Sequence, residues 1–88
     1  MRKRVVAHGN VQGVFFRDTA RRKARDAGVS GWVRNCPDGS VEAVFEGDQE
    51  GVRRMVEFMR DGPRGAGVER VDEVDEEPEG LSGFEVRG

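Results

Sequence analysis

Apolar residues fall along this chain in blocks that switch between a two-residue and a helical period, and the blocks predict its elements. Arg4 to His8 carries Val5, Val6 and Ala7, which is short, β-rich and reads as a first strand. From Phe16 the apolar positions are Phe16, Ala20, Ala24 and Ala27, a helical spacing whose narrow face of small residues lets a helix lie close to a sheet. Gly28 follows as the residue that ends it. Val29–Asn35 and Val41–Glu46 read as a second and a third strand, joined through Cys36-Pro37-Asp38-Gly39-Ser40. Proline presets φ, aspartate bonds its own backbone and glycine takes the left-handed position, so these strands form an antiparallel hairpin. In the third strand Val41, Ala43 and Phe45 share one face while Glu42 and Glu46 share the other. This predicts one buried face and one largely wet face.

Asp48 is placed as the N-cap of a second helix, in which Val52, Met55, Val56 and Met59 recur at i, i+3, i+4 and i+7. The two methionines read as core filler, and Gly62-Pro63 ends the helix. Val68 to Val74 reads as a fourth strand, although Val68, Val71 and Val74 do not keep strict alternation. Asp75 to Gly80 reads as a solvated acidic loop without the regular spacing of a calcium site. Leu81 to Arg87 supplies a last short strand with Phe84 and Val86 on one face. The order strand, helix, strand, strand, helix, strand is the split βαβ pattern. It predicts an α+β, ferredoxin-like βαββαβ sandwich, an antiparallel sheet with two helices on one face. Right-handed crossovers then put the first and third strands side by side at the centre. Residues 1–88 read as a single domain.

Composition narrows the function classes. Charged residues make up 36% of the chain and apolar ones 35%, giving a small core under an ionic surface. The net charge of −2 argues against a general nucleic-acid binder, which needs a basic face. The basic run from Arg21 to Arg25 reads as a solvated helix face that also suits the helix C-terminal half. Cys36 is the only cysteine, so no intramolecular disulfide forms and a reducing, cytoplasmic setting is expected. No apolar run is long enough for a signal peptide or a membrane span. His8, the only histidine, and Cys36 both lack an activating partner at a readable spacing. No His/Cys/Asp cluster suggests a metal, and no cofactor motif is present.

The candidate chemistry lies between the first strand and the first helix, in His8-Gly9-Asn10-Val11-Gln12-Gly13-Val14-Phe15-Phe16-Arg17. Glycines let successive N–H groups converge into an anion-binding nest, and a helix N-terminus adds unpaired donors and partial positive charge. Arg17 supplies a planar fork suited to two oxygens of one phosphate. The spacing is neither a Walker A loop nor the dinucleotide fingerprint. Spacing alone is equally compatible with a tight strand-to-helix turn that carries a surface arginine.

Two segments taken together resemble the signatures of the acylphosphatase family. Gly9-Asn10-Val11-Gln12-Gly13-Val14-Phe15-Phe16-Arg17 is similar to the first, G-x-V-Q-G-V-x-F-R, with every fixed position filled. Gly31-Trp32-Val33-Arg34-Asn35, followed by Gly39, Val41 and Gly47, is similar to the second. The resemblance covers essentially the whole chain. It implies hydrolysis of the carboxyl–phosphate bond of small-molecule acyl phosphates, with no metal, no cofactor and no phosphoenzyme. By position it implies that Arg17 binds the phosphate and Asn35 orients the attacking water. It also implies that the backbone N–H groups of Gln12, Gly13, Val14, Phe15 and Phe16 cradle the phosphate. A monomer acting without nucleic acid or membrane is the expectation. The acyl part is left open, since acetyl phosphate, carbamoyl phosphate and 1,3-bisphosphoglycerate present the same group. Two rival readings are an RNA-binding or regulatory module of the same fold class and an acylphosphatase-like domain of a carbamoyl-transfer protein. The first wants exposed aromatics on a basic sheet face, where Trp32 alone qualifies.

Overall fold

The computed structural model describes all 88 residues. Its elements are β1 (Arg2–Asn10), α1 (Phe16–Asp26), β2 (Ser30–Asn35), β3 (Val41–Glu46), α2 (Gln49–Asp61), β4 (Gly67–Glu76) and β5 (Phe84–Arg87). The expected βαββαβ order is present through β4, with β5 following as a fifth strand. β1 and β4 run further than the local pattern indicates because they pair along their whole lengths, from Arg2 opposite Glu76 to Asn10 opposite Gly67.

The strands form one five-stranded sheet in the order β4-β1-β3-β2-β5. β1 and β3 are neighbours, as right-handed crossovers require. Four strands are antiparallel, whereas β5 lies parallel to β2, with Gly31 opposite Phe84 and Val33 opposite Val86, so the sheet is mixed. The direction follows from the path of the chain. It leaves β4 at the end of the sheet where β1 begins, crosses that end, and must enter β5 running the same way as β2.

Both helices cover one face. Phe16, Ala20 and Ala24 of α1 and Val52, Met55 and Met59 of α2 meet Val5, Ala7, Val33, Val41, Ala43 and Phe45 of the sheet in one continuous core. Phe16 and Phe58 join the two helices with ring centroids 5.4 Å apart, and Phe45 stacks on Phe84 at 5.7 Å. Asp48 caps α2 as expected, its carboxylate accepting the Gly51 N–H at 2.7 Å. The phase break at Val68 has a simple cause. Pairing with β1 slips by one residue between His8 and Gly9, leaving Glu69 with no partner opposite. Val68 and Val71 therefore both pack on the core, while Val74 turns to the other face.

That other face departs from the expectation of a largely wet surface. Val44 is fully buried, and Arg2, Trp32 and Glu46 are each less than a tenth exposed. Arginines and carboxylates close it. Arg2 pairs with Glu46, Glu76 and Glu79, and Arg4 pairs with Glu42 and Glu76. Arg4 and Arg87 lie over the Trp32 ring, 5.7 and 4.7 Å from its centroid. The acidic stretch is an exposed loop from Glu77 to Gly80, as expected, but not from its start. Asp75 and Glu76 extend β4, and the following turn lies against β3, where the N–H groups of Glu79 and Leu81 each donate to the Glu46 carboxylate at 2.8 Å. Hydrogen bonds from Arg4 and Arg2 hold the Glu76 carboxyl below the usual range. Burial pushes Glu42 up, but Arg34 and Arg4 outweigh it and its pKa also falls. No helix is long and apolar enough to cross a membrane.

Candidate active site

The loop from β1 to α1 is fastened at both ends and at its middle. Val11 and Phe16 are buried, which anchors the ends in the core. Between them the Gln12 side chain donates to the carbonyls of Cys36 at 2.9 Å and Ser40 at 3.0 Å, tying the loop to the β2–β3 turn. Gly13 takes φ 74° and Phe15 takes φ 59°, so the chain passes through the left-handed region twice before the helix starts. For Phe15, a non-glycine residue that is 81% exposed, this conformation costs about 1 kcal/mol and its ring gains little burial in return.

The consequence is a set of donors with nowhere to donate. The N–H groups of Gln12, Gly13, Val14 and Phe15 have no acceptor within the protein, and the first helical bond is Thr19 N–H to the Phe15 carbonyl at 3.0 Å. The first turn of α1 has no side-chain cap. A helix end in that state presents bare N–H groups and the positive end of its dipole.

Arg17 stands in this first turn. Its only protein partner is the Arg87 carbonyl, 3.4 Å from Nη1, and no carboxylate lies within ion-pairing distance. Asn35, the last residue of β2, is held by backbone pairing with Val41, and its side-chain amide makes no hydrogen bond within the protein.

Gly13, Phe15, Phe16, Arg17 and Asn35 line one open cleft of about 390 Å³ at the end of the sheet where β1 and β2 finish. The structure thus brings most of the sequence-derived candidates together. Val14 instead packs against the core, and the Gln12 side chain is committed to the hairpin. Val11, Asp18, Arg21 and Val86 complete the lining. Arg21, expected on a solvated basic face, instead lines the cleft, and its position one helical turn beyond Arg17 is the signal that could have placed it there. Val86 was not, because only the parallel docking of β5 on β2 carries it there. Cys36 is half-buried in the turn behind the loop, and His8 sits on the opposite sheet face, 3.0 Å from Asp72. Neither lines the cleft.

Fold and cleft together define a ferredoxin-like α+β domain whose sheet end carries an anion-receptive loop beside an unpaired arginine. Comparison with known proteins gives the family. The acylphosphatase family model matches residues 3–86. An acylphosphatase of Haloarcula marismortui is 54% identical over 86 residues, covering 98% of this chain and 94% of the relative. One from Thermococcus kodakarensis is 56% identical over 90 residues, covering 98% and 99%. The crystal structure of acylphosphatase from Bacillus subtilis superposes with a TM-score of 0.93 at 30% identity, covering 99% of this chain and 98% of that one. The chain belongs to the acylphosphatase family and is a hydrolase of that family.

Proposed function

We propose that the chain hydrolyses acyl phosphates to a carboxylate and inorganic phosphate, by in-line attack of a water on a phosphoryl group held in the loop. The observation that carries this reading is the run of unpaired N–H groups from Gln12 to Phe15 beside an arginine with no carboxylate. The phosphoryl oxygens accept from the N–H groups of residues 12–16 and from the Arg17 fork, which stabilises charge on the equatorial oxygens of a loose transition state. The Asn35 amide oxygen accepts a hydrogen bond from the attacking water and aims its oxygen at phosphorus.

The chemistry suits the residues present. An acyl phosphate expels a carboxylate whose conjugate acid has a pKa of about 4, so its departure needs no general acid. A cleft lined by arginines, an asparagine and a single aspartate is adequate for this and poorly equipped for alkyl phosphomonoesters, whose leaving groups are far more basic.

The test is release of phosphate from benzoyl phosphate in chelator-treated buffer. Turnover that persists there and disappears in Arg17→Ala supports the proposal. No release from benzoyl or acetyl phosphate would favour a binding module of the same fold.

A further inference from the structure

Arg21 lines the same cleft as Arg17 and lies one helical turn further along α1. Two like charges at i and i+4 on one helix face repel each other, so the pair is a small liability to the helix. The one nearby carboxylate relieves it only in part. Asp18 accepts from Nη2 of Arg21 at 2.9 Å and also pairs with Nε of Arg22 at 3.6 Å. One carboxylate is therefore shared around a group of three arginines, and Arg17 receives none of it. Nε of Arg21 is buried and has no hydrogen-bond partner, the only such side-chain atom in the protein. A buried guanidinium N–H without an acceptor is costly, and a ligand oxygen in the cleft would draw the side chain into a satisfied geometry. On α2 the arginines are matched, Arg53 with Glu50 and Glu57, Arg54 with Glu50 and Arg60 with Glu73.

Resting on the proposed phosphate site, we infer that Arg21 is a specificity residue that selects acyl phosphates whose acyl chain carries a second anionic group. The phosphoryl group sits on the loop and Arg17. The second anion then reaches toward Arg21, whose backbone lies about 6 Å further along the helix axis, from a carboxylate joined to the reacting group through about two methylenes. Neutral acyl groups occupy the same cleft against Phe15 and Val86 without engaging Arg21. Asp18 sets the strength of this selection, because its carboxylate competes with the ligand for Arg21.

Binding can be measured without turnover. Calorimetry compares 3-phosphonopropionate with propylphosphonate, two phosphonates that differ in one terminal carboxylate. The protein is expected to bind the carboxylated ligand about tenfold more tightly, the scale of one charge-assisted pair. Arg21→Gln should bring the affinity ratio close to unity, Arg21→Lys should restore part of it, and Asp18→Asn should raise it above the unsubstituted value. A ratio indifferent to Arg21 while both ligands bind would overturn this inference and leave the phosphate site standing. Failure of either phosphonate to bind at all would overturn the site, and the inference with it.

Discussion

Arginine does opposite things at two places in this molecule. On the open sheet face, Arg2 and Arg4 meet Glu42, Glu46, Glu76 and Glu79, and the ion pairs roof over Trp32 and Val44. At the end of the sheet, Arg17 meets only a carbonyl, in company with N–H groups that also lack acceptors. The first region satisfies its cations internally and so serves structure. The second withholds acceptors from its donors, which leaves their binding capacity for a ligand. An arginine's neighbours, not its presence, separate a structural cation from a binding one.

Substitutions should divide along that line. The largest effect is expected for Arg17→Ala, which should lower kcat/KM on benzoyl phosphate by about 10³-fold or more, by analogy with arginine fingers, with little change in the denaturation midpoint. Arg17→Lys should be nearly as damaging, because a point charge does not replace the fork. Asn35→Ala should cost at least about 100-fold in turnover yet leave inorganic phosphate binding intact. Near-normal turnover in that variant would overturn the proposed positioning of water by Asn35. Arg2→Met should do the reverse of Arg17→Ala, costing about 2 kcal/mol of stability with kcat unchanged. That figure is below the usual cost of breaking a buried pair because Glu76 and Glu79 keep contact with water.

Acid sharpens the same contrast. Glu42, Glu46 and Glu76 all have folded pKa values below 4.5, their ordinary value. Between the two values the unfolded chain binds protons that the folded chain does not, so their contribution is full above about 4.5 and is lost as pH falls below it. Urea midpoints followed down from neutral pH should hold until that region and then drop. Replacing Glu76 with Gln should make the drop shallower. The smallest effect is expected at Phe15, where Phe15→Gly relieves the left-handed backbone and should raise stability by about 1 kcal/mol in urea titration.

Much of this arrangement was legible in the residues. Local chemistry gave the Pro-Asp-Gly turn, the Asp48 cap and the alanine face of α1, and the structure has all three. The loop and Arg17 could be read because glycine positions and a helix start are local features too. What escaped depends on the assembled sheet. The direction of β5 follows from where β4 ends, and it decides that Val86 reaches the cleft. The burial of Trp32 and Val44 on the open face required knowing that Arg2, Glu46 and Glu76 meet across three strands. Gln12 offered no local sign that its side chain, and not only its N–H, would fasten the loop to the hairpin.

The most direct measurement is a titration of ¹⁵N-labelled protein with inorganic phosphate in metal-free buffer. The amides of residues 12–17 should shift saturably and Arg17→Ala should abolish the shifts, while the amides of β1, β3 and β4 along the arginine-rich face stay put. Shifts confined to that face, or none in the loop, would contradict the account.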